Sequence, residues 1–220
     1  MNESLTKEDY MKIAAQLRKP EGEDGYKVAE FMNTGNLPMN LHTLAAVNPE
    51  ENDSILEIGM GNGHFVKNIL NLHETIYYTG CDYSLDMVEA SVEKNKKFTE
   101  NGRAKFVHGN VQQLPFHDNS FNKIFTINTF YFWDDFPKVI RELKRVLLPG
   151  GVLIISVRPK HNLVDFPVTE FGFSLFTETE IIEILSENGF RFKEVAKVKE
   201  PNREFMGEIQ ERENLILTFN

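Results

Sequence analysis

Residues Ile55-Leu56-Glu57-Ile58-Gly59-Met60-Gly61-Asn62-Gly63-His64-Phe65 decide the fold. A short run of strand-forming residues meets three glycines at alternate positions, and a segment of helical period follows at once. Strand, loop and helix in that order bring backbone N–H groups to a ligand at the C-terminal edge of a sheet. Glycine suits such a loop because it adopts positive φ and puts no Cβ between main chain and ligand. A tight turn without a ligand uses the same residues, so the loop alone leaves both readings open. A dinucleotide fingerprint starting at Gly59 requires Gly or Ala at position 64, and His64 stands there, which counts against a nicotinamide cofactor. What remains is GxGxG preceded by Glu57, a carboxylate better matched to an ammonium group than to a pyrophosphate.

Outward from this segment, short apolar runs alternate with helix-period stretches. Ser54 to Ile58, Ile76 to Cys81, Ala104 to Val107, Lys123 to Ile127 and Val152 to Val157 are predicted strands. Phe65 to Asn71, Ser84 to Phe98 and Phe136 to Leu147 carry apolar residues three and four apart and are predicted helices. This alternation predicts an α/β fold with a parallel sheet covered on both faces. Thr177 and Glu180 form a capping box that opens a helix ending at Asn188-Gly189. Phe190 to Val198 and Asn214 to Phe219 then read as an antiparallel pair joined by a loop containing Pro201-Asn202 and Met206-Gly207. Residues 1 to 50 break the pattern, with an amphipathic stretch from Leu5 to Leu17, a Gly/Pro-punctuated stretch from Pro20 to Pro38, and Leu41, Leu44, Ala45 and Val47 at helical spacing. They form an expected helical appendage or lid, 1-50, ahead of a main domain, 51-220.

Two further strand ends carry polar residues. Asp82 lies about 20 residues past the glycines, where a carboxylate accepts both hydroxyls of a ribose, although Asp82 or Ser84 equally suits a helix cap. Asn110 follows a third strand, with amide groups able to pair with an adenine edge or to make a turn.

Composition bounds the partners. The 220 residues hold 24 Lys and Arg against 33 Asp and Glu, a net charge of -9 that repels phosphate backbones and anionic lipid. No nucleic acid is expected. No apolar run reaches the roughly 20 residues of a membrane helix, the single Cys81 has no internal partner, and the amino terminus lacks the pattern of a signal peptide. The expected location is cytoplasmic, as a monomer or homodimer. No metal-ligand pair, GxSxG or P-loop occurs.

Together these residues resemble the class I S-adenosylmethionine-dependent methyltransferases, in particular the small-molecule branch of ubiquinone/menaquinone type. The resemblance rests on four motifs in order: Leu56 to Gly63, Gly80 to Met87, Leu114-Pro115-Phe116 with Asp118 to Asn122, and Glu142 to Gly151. It implies a Rossmann-like, seven-stranded, mostly parallel sheet with helices on both faces and a C-terminal antiparallel hairpin. It further implies that Gly59 and Gly61 approach the methionine part of S-adenosylmethionine, with Asn62 and Gly63 in the same loop and Glu57 holding its geometry or a water. Asp82 would take the ribose, Tyr83 and Met87 would flank the adenine, Asn110 and Val111 would meet its edge, and Asn128 would face the methionine. Asn110 and Asn122 stand where the family commonly has Asp, with modestly altered affinity expected from the first and a structural turn from the second.

The implied reaction is methyl transfer to a small-molecule acceptor by in-line displacement, leaving S-adenosylhomocysteine, with the protein supplying chiefly proximity and orientation. The alternative is a non-catalytic, cofactor-binding or regulatory protein that keeps the fold. A general base is not required. The candidates near strand ends are His64, Tyr131, Asp134 and His161, each with an ordinary structural role as well. Phe130, Tyr131, Phe132 and Trp133, with Phe166, Phe171, Phe173 and Phe176, are expected to place some rings in an acceptor pocket. Arg158-Pro159-Lys160-His161 either meets an anionic acceptor or forms a solvated turn.

Overall fold

The computed structural model describes residues 5–205 and 208–220, with side chains described outside 203–210. Seven strands form one sheet: β1 Ser54–Ile58, β2 Tyr77–Asp82, β3 Ala104–His108, β4 Phe121–Ile127, β5 Leu147–Val157, β6 Phe192–Phe205 and β7 Glu208–Phe219. Their order is β3-β2-β1-β4-β5-β7-β6. The first five run parallel, and β7 inserts antiparallel between β5 and β6. Chain order reverses between β1 and β4, which leaves a crevice beyond the C-terminal tips of those strands.

Among the described residues eight α-helices pack around the sheet: α1 Lys7–Arg18, α2 Gly22–Gly35, α3 Leu37–Val47, α4 Val66–Leu70, α5 Leu85–Lys94, α6 Lys96–Glu100, α7 Phe136–Val146 and α8 Glu178–Glu187. Strand residues alternate between two cores. Leu56, Ile124, Leu153 and Ile155 join α7 and α8 in one, and Ile55, Phe125, Ile154 and Ile216 join α3 and α4 in the other. All but Ile154 and Ile216 of these strand residues have no exposed surface, and full burial stabilises each such side chain by about 1.5–3 kcal/mol. α3 is held by more than apolar contact. Ser156 Oγ on β5 accepts from Thr43 Oγ1 at 2.7 Å and donates to Asn214 Oδ1 at 2.9 Å, all three groups buried.

Four local expectations change. The helix expected from Ser84 to Phe98 divides into α5 and α6, because Asn95 Nδ2 donates to the Ser91 and Gly63 carbonyls and interrupts the ladder. The Gly/Pro-punctuated stretch is largely α2. Its internal Gly25 is required by packing, since a Cβ there would lie 2.7 Å from the Pro20 carbonyl carbon. β5 starts at Leu147, earlier than Val152, across an irregularity opposite Phe121 and Lys123. At the C-terminus Pro201-Asn202 belongs to β6, at a register shift between Glu200 and Arg203 that absorbs the missing proline N–H; Met206-Gly207 lies outside the described residues. Asn122 is structural: its Oδ1 accepts from Ser54 N at 2.6 Å and its Nδ2 donates to Asp53.

Candidate active site

The tips of β1, β2, β3 and β4 open into one cavity of about 340 Å³, roofed by α1 and α2. The three glycines of the loop serve three purposes. Gly59 (φ +75°) lies so close to Thr129 beyond β4 that no Cβ fits. Gly61 (φ +56°) has open space where a Cβ would point, on the cavity side of the loop. Gly63 (φ +65°) packs on α5, where a Cβ would lie 2.7–2.8 Å from Asn95 Nδ2 and Ser91 Oγ; it does not line the cavity.

Asp82 sits at the centre. Its two oxygens accept from Gly61 N and Ser84 N, each at 2.9 Å, which binds the glycine loop to the tip of β2. Burial raises its pKa to about 6 against the opposing pull of those amides. Glu57 is buried beside it and accepts from Tyr78 Oη at 2.5 Å. Burial lifts Glu57 to about 7, with the Tyr78 hydrogen bond acting against the shift and the Asp82 charge adding to it. Two carboxylates held high by desolvation are stabilised in their charged form by a cationic ligand.

Glu57, Gly59, Gly61, Asn62, Asp82, Tyr83, Met87, Asn110, Val111 and Asn128 all line the cavity. Asn110 uses its Oδ1 to accept from Gln112 N at 2.9 Å, so the turn and the lining role coexist. Asn128 adopts φ +57°; its Oδ1 accepts from Tyr131 Oη at 3.2 Å and its Nδ2 donates to Met39 Sδ at 3.2 Å.

The candidate bases are placed elsewhere or engaged. His64 packs edge-on against Phe65 outside the cavity lining, and burial followed by Lys94 and Lys67 lowers its pKa. His161 lies exposed in the turn Lys160–Asn162, also outside it. Tyr131 Oη accepts from Arg158 N at 2.5 Å and donates toward Arg158 O and Asn128, and burial raises its pKa further above the usual phenol range. Asp134 lines the cavity but is paired with Arg18 at 2.6 Å.

Of the loop aromatics, Phe132 and Trp133 line the cavity. Phe130, Tyr131, Phe173 and Phe176 build or pack on core instead, and Phe171 lies under Lys7 at 5.9 Å. Phe130 stacks with Phe136 and Phe176 at centroid distances of 4.8 and 5.2 Å, and Phe173 meets Phe132 at 4.6 Å. Sequence reasoning expected a helical appendage or lid in residues 1-50 but missed its polar lining, Gln16, Arg18, Asn33, Asn36 and Asn40. Asparagines three and four apart are the signal that was there to be read, although the α2–α3 junction interrupts it. Glu30 on α2 joins roof to loop, accepting from Asn62 Nδ2 at 2.9 Å and from Lys94 at 2.8 Å.

These features fit S-adenosylmethionine. A glycine cradle faces a buried carboxylate at the topological switch point, and the surrounding carboxylates favour a cationic donor. Gly59, Gly61 and Glu57 would hold its amino-acid end, Asp82 its ribose, and Tyr83, Met87, Asn110 and Val111 its base. Among the described residues no group of His, Cys, Asp or Glu is placed to hold a metal ion, and no helix is long and apolar enough to cross a membrane.

Residues 56–155 match the family model described as a methyltransferase domain. The chain is 35% identical over 112 residues to a putative methyltransferase, YrhH, of Bacillus subtilis, covering 51% of this chain and 61% of that protein. It is 24% identical over 166 residues to a demethylmenaquinone methyltransferase of Bacillus licheniformis, covering 75% and 69%. In fold it is similar to a chain in the complex between the Haloferax volcanii Trm112 methyltransferase activator and the putative methyltransferase. That match has a TM-score of 0.76 and 20% identity and covers 98% of each chain.

Proposed function

We propose that this chain, whose residues 56–155 match a methyltransferase domain, is a class I S-adenosylmethionine-dependent methyltransferase, and from that premise that it transfers a methyl group from S-adenosylmethionine to a small-molecule acceptor. The observation that carries this reading is the single cavity shared by the tips of β1 to β4, with Asp82 at its centre and the Gly61 cradle above. The cofactor, when bound, supplies an activated methyl on a sulfonium. The protein's part is geometric. Asp82 orients the ribose, the glycine loop and Asn128 position the amino-acid end, and α1 and α2 exclude water while the acceptor is held in line. No side chain lining the acceptor side is offered as a base, consistent with catalysis by proximity.

Isothermal calorimetry with S-adenosylmethionine and S-adenosylhomocysteine tests the premise; no heat of binding at millimolar ligand overturns it. Transfer of labelled methyl to an acceptor panel tests catalysis. Cofactor binding with no transfer to any acceptor favours the non-catalytic alternative. The likeness to a chain solved with an activator supports a second reading, that turnover depends on a partner protein. Turnover by the purified chain alone refutes it.

A further inference from the structure

Tyr78 is a polar group in an apolar place. It stands near the start of β2, is 1% exposed, and packs against Phe106 at a centroid distance of 6.0 Å in the core shared with α3 and α4. A buried phenol needs a partner for its O–H, and Tyr78 finds one on the neighbouring strand, its Oη donating to Glu57 Oε2 at 2.5 Å. The register sets Ile55 opposite Tyr78 and Glu57 opposite Gly80, so the phenol and the carboxylate share one face of the sheet. Glu57 lines the cavity and Tyr78 stands behind it. The other carboxylate oxygen, Glu57 Oε1, has no hydrogen bond among the described residues and is left for the cavity.

Glu57 and Asp82 are similarly buried but unequally supplied. Asp82 accepts from the main-chain amides of Gly61 and Ser84, and His108 at the tip of β3 adds to its stabilisation; Glu57 has the phenol. The charge acting on Glu57 is the like charge of Asp82, and among the described residues no Lys or Arg stands against it. Phe125 of β4, paired with Glu57, and Asn40 of α3 bring no charge. The remaining ionisable groups of the lining are Cys81 and Tyr83 on β2, and Arg18 on α1, which is paired with Asp134. Without a ligand Glu57 therefore keeps its proton readily, and the phenol is the group that favours giving it up.

We propose that Tyr78 is a positioning residue for the cofactor: its phenol fixes one oxygen of Glu57, leaves the other facing the ammonium group of S-adenosylmethionine, and so lets Glu57 release its proton to solvent as that ammonium enters. This rests on the cofactor reading above. The ammonium takes over from the proton as the positive partner of the carboxylate, so the buried group stays compensated throughout. Tyr78 acts through Glu57 alone, from behind the cavity wall.

The test is calorimetric titration with S-adenosylhomocysteine, which has the same amino-acid end, from pH 5.5 to 8.5. Parent affinity is expected to rise by up to about tenfold per pH unit until about pH 7 and then to level. Tyr78→Phe keeps the ring and removes the hydrogen bond, and its levelling is expected about one pH unit higher. Its affinity should then lie about tenfold below the parent's at pH 6 and within about twofold at pH 8.5. A deficit of one size at every pH is what a merely structural role produces and overturns the proposal, as does no deficit at pH 6. A measurement on the parent alone covers a variant that does not fold. Titration at pH 6.5 in two buffers of unlike ionisation enthalpy should show about half a proton or more released per S-adenosylhomocysteine bound, and release of none overturns the proposal too. Failure of the cofactor reading is distinct, because S-adenosylhomocysteine then binds at no pH.

Discussion

The sheet wall of the cleft and its helical wall face the same cavity but are held by contacts of different kinds. At the sheet wall, Gly59 N donates to Cys81 O at 2.8 Å, Gly61 N to Asp82, and Tyr78 to Glu57, all within or against buried strands. At the helical wall, α1 and α2 are tied mostly by side chains at the surface, beside the buried contacts of Asn62 with Glu30 and of Ser84 with Pro20 O. Arg18 pairs with Asp134, Glu30 with Lys94, Asp86 with Gly22 N, and Lys19 lies over the exposed Tyr83 ring at 5.2 Å. Exposed ion pairs of this sort contribute about 0–1 kcal/mol each, whereas leaving a buried polar group unpaired costs about 1–3 kcal/mol. The cleft therefore pairs a preformed floor with a roof whose attachments are individually weak.

The largest expected effect lies on the floor. Asp82→Asn keeps the shape and removes the charge and half the acceptor capacity, and cofactor affinity should fall about 100-fold by calorimetry. Affinity within a few-fold of the parent breaks the comparison. Next come two glycines with similar φ and open surroundings, one on each wall, Gly61 and Gly22. Valine at either position is strained by about 1–2 kcal/mol, read as a lowered Tm. Cofactor affinity should drop about tenfold or more for Gly61→Val and stay unchanged for Gly22→Val.

Glu57 gives a pH signature. Its folded pKa, about 7, is above the ordinary 4.5, so the folded state holds the proton more tightly than the unfolded chain does. That contribution is full below about pH 4.5 and is lost as the pH rises through 7, and the like contribution of Asp82 is full below its ordinary value of 3.8 and is lost as the pH rises through about 6. The cofactor-free protein should lose stability on the order of 3 kcal/mol from Glu57 between pH 5 and 8. Glu57→Gln should flatten the Tm profile over that range; a parallel profile contradicts the assignment. The smallest effect belongs to the roof. Arg18→Ala should change stability by less than about 1 kcal/mol, yet speed hydrogen exchange across Lys7–Arg18 and raise the cofactor dissociation rate several-fold.

What the sequence disclosed follows from how local each signal is. Ile55 to Phe65 carries strand, turn and helix within one contiguous stretch, and Asp82 follows a strand of its own, so the parallel core and the floor residues are legible by period and spacing. Asn33 and Asn36 are not, because nothing next to them in the chain shows that the end of α2 lines the cavity. The base candidates illustrate the same limit. Tyr131 follows β4 as a catalytic tyrosine would, but its hydroxyl is engaged by the main chain of Arg158, 27 residues further on. Likewise the clustering of Phe130, Phe173 and Phe176 into core reflects ring geometry between distant segments, which composition does not encode.

The Thr43–Ser156–Asn214 chain sets where this molecule can be trimmed. A fragment starting after residue 50 would strip Met39, Leu44 and Val47 from the sheet and remove the Thr43 hydroxyl that donates to Ser156 on β5. One that starts just before Asn36 would discard α1 and α2 yet retain the third helix, which covers one face of the sheet. Engineers seeking the smallest excisable unit should cut on that side of the junction.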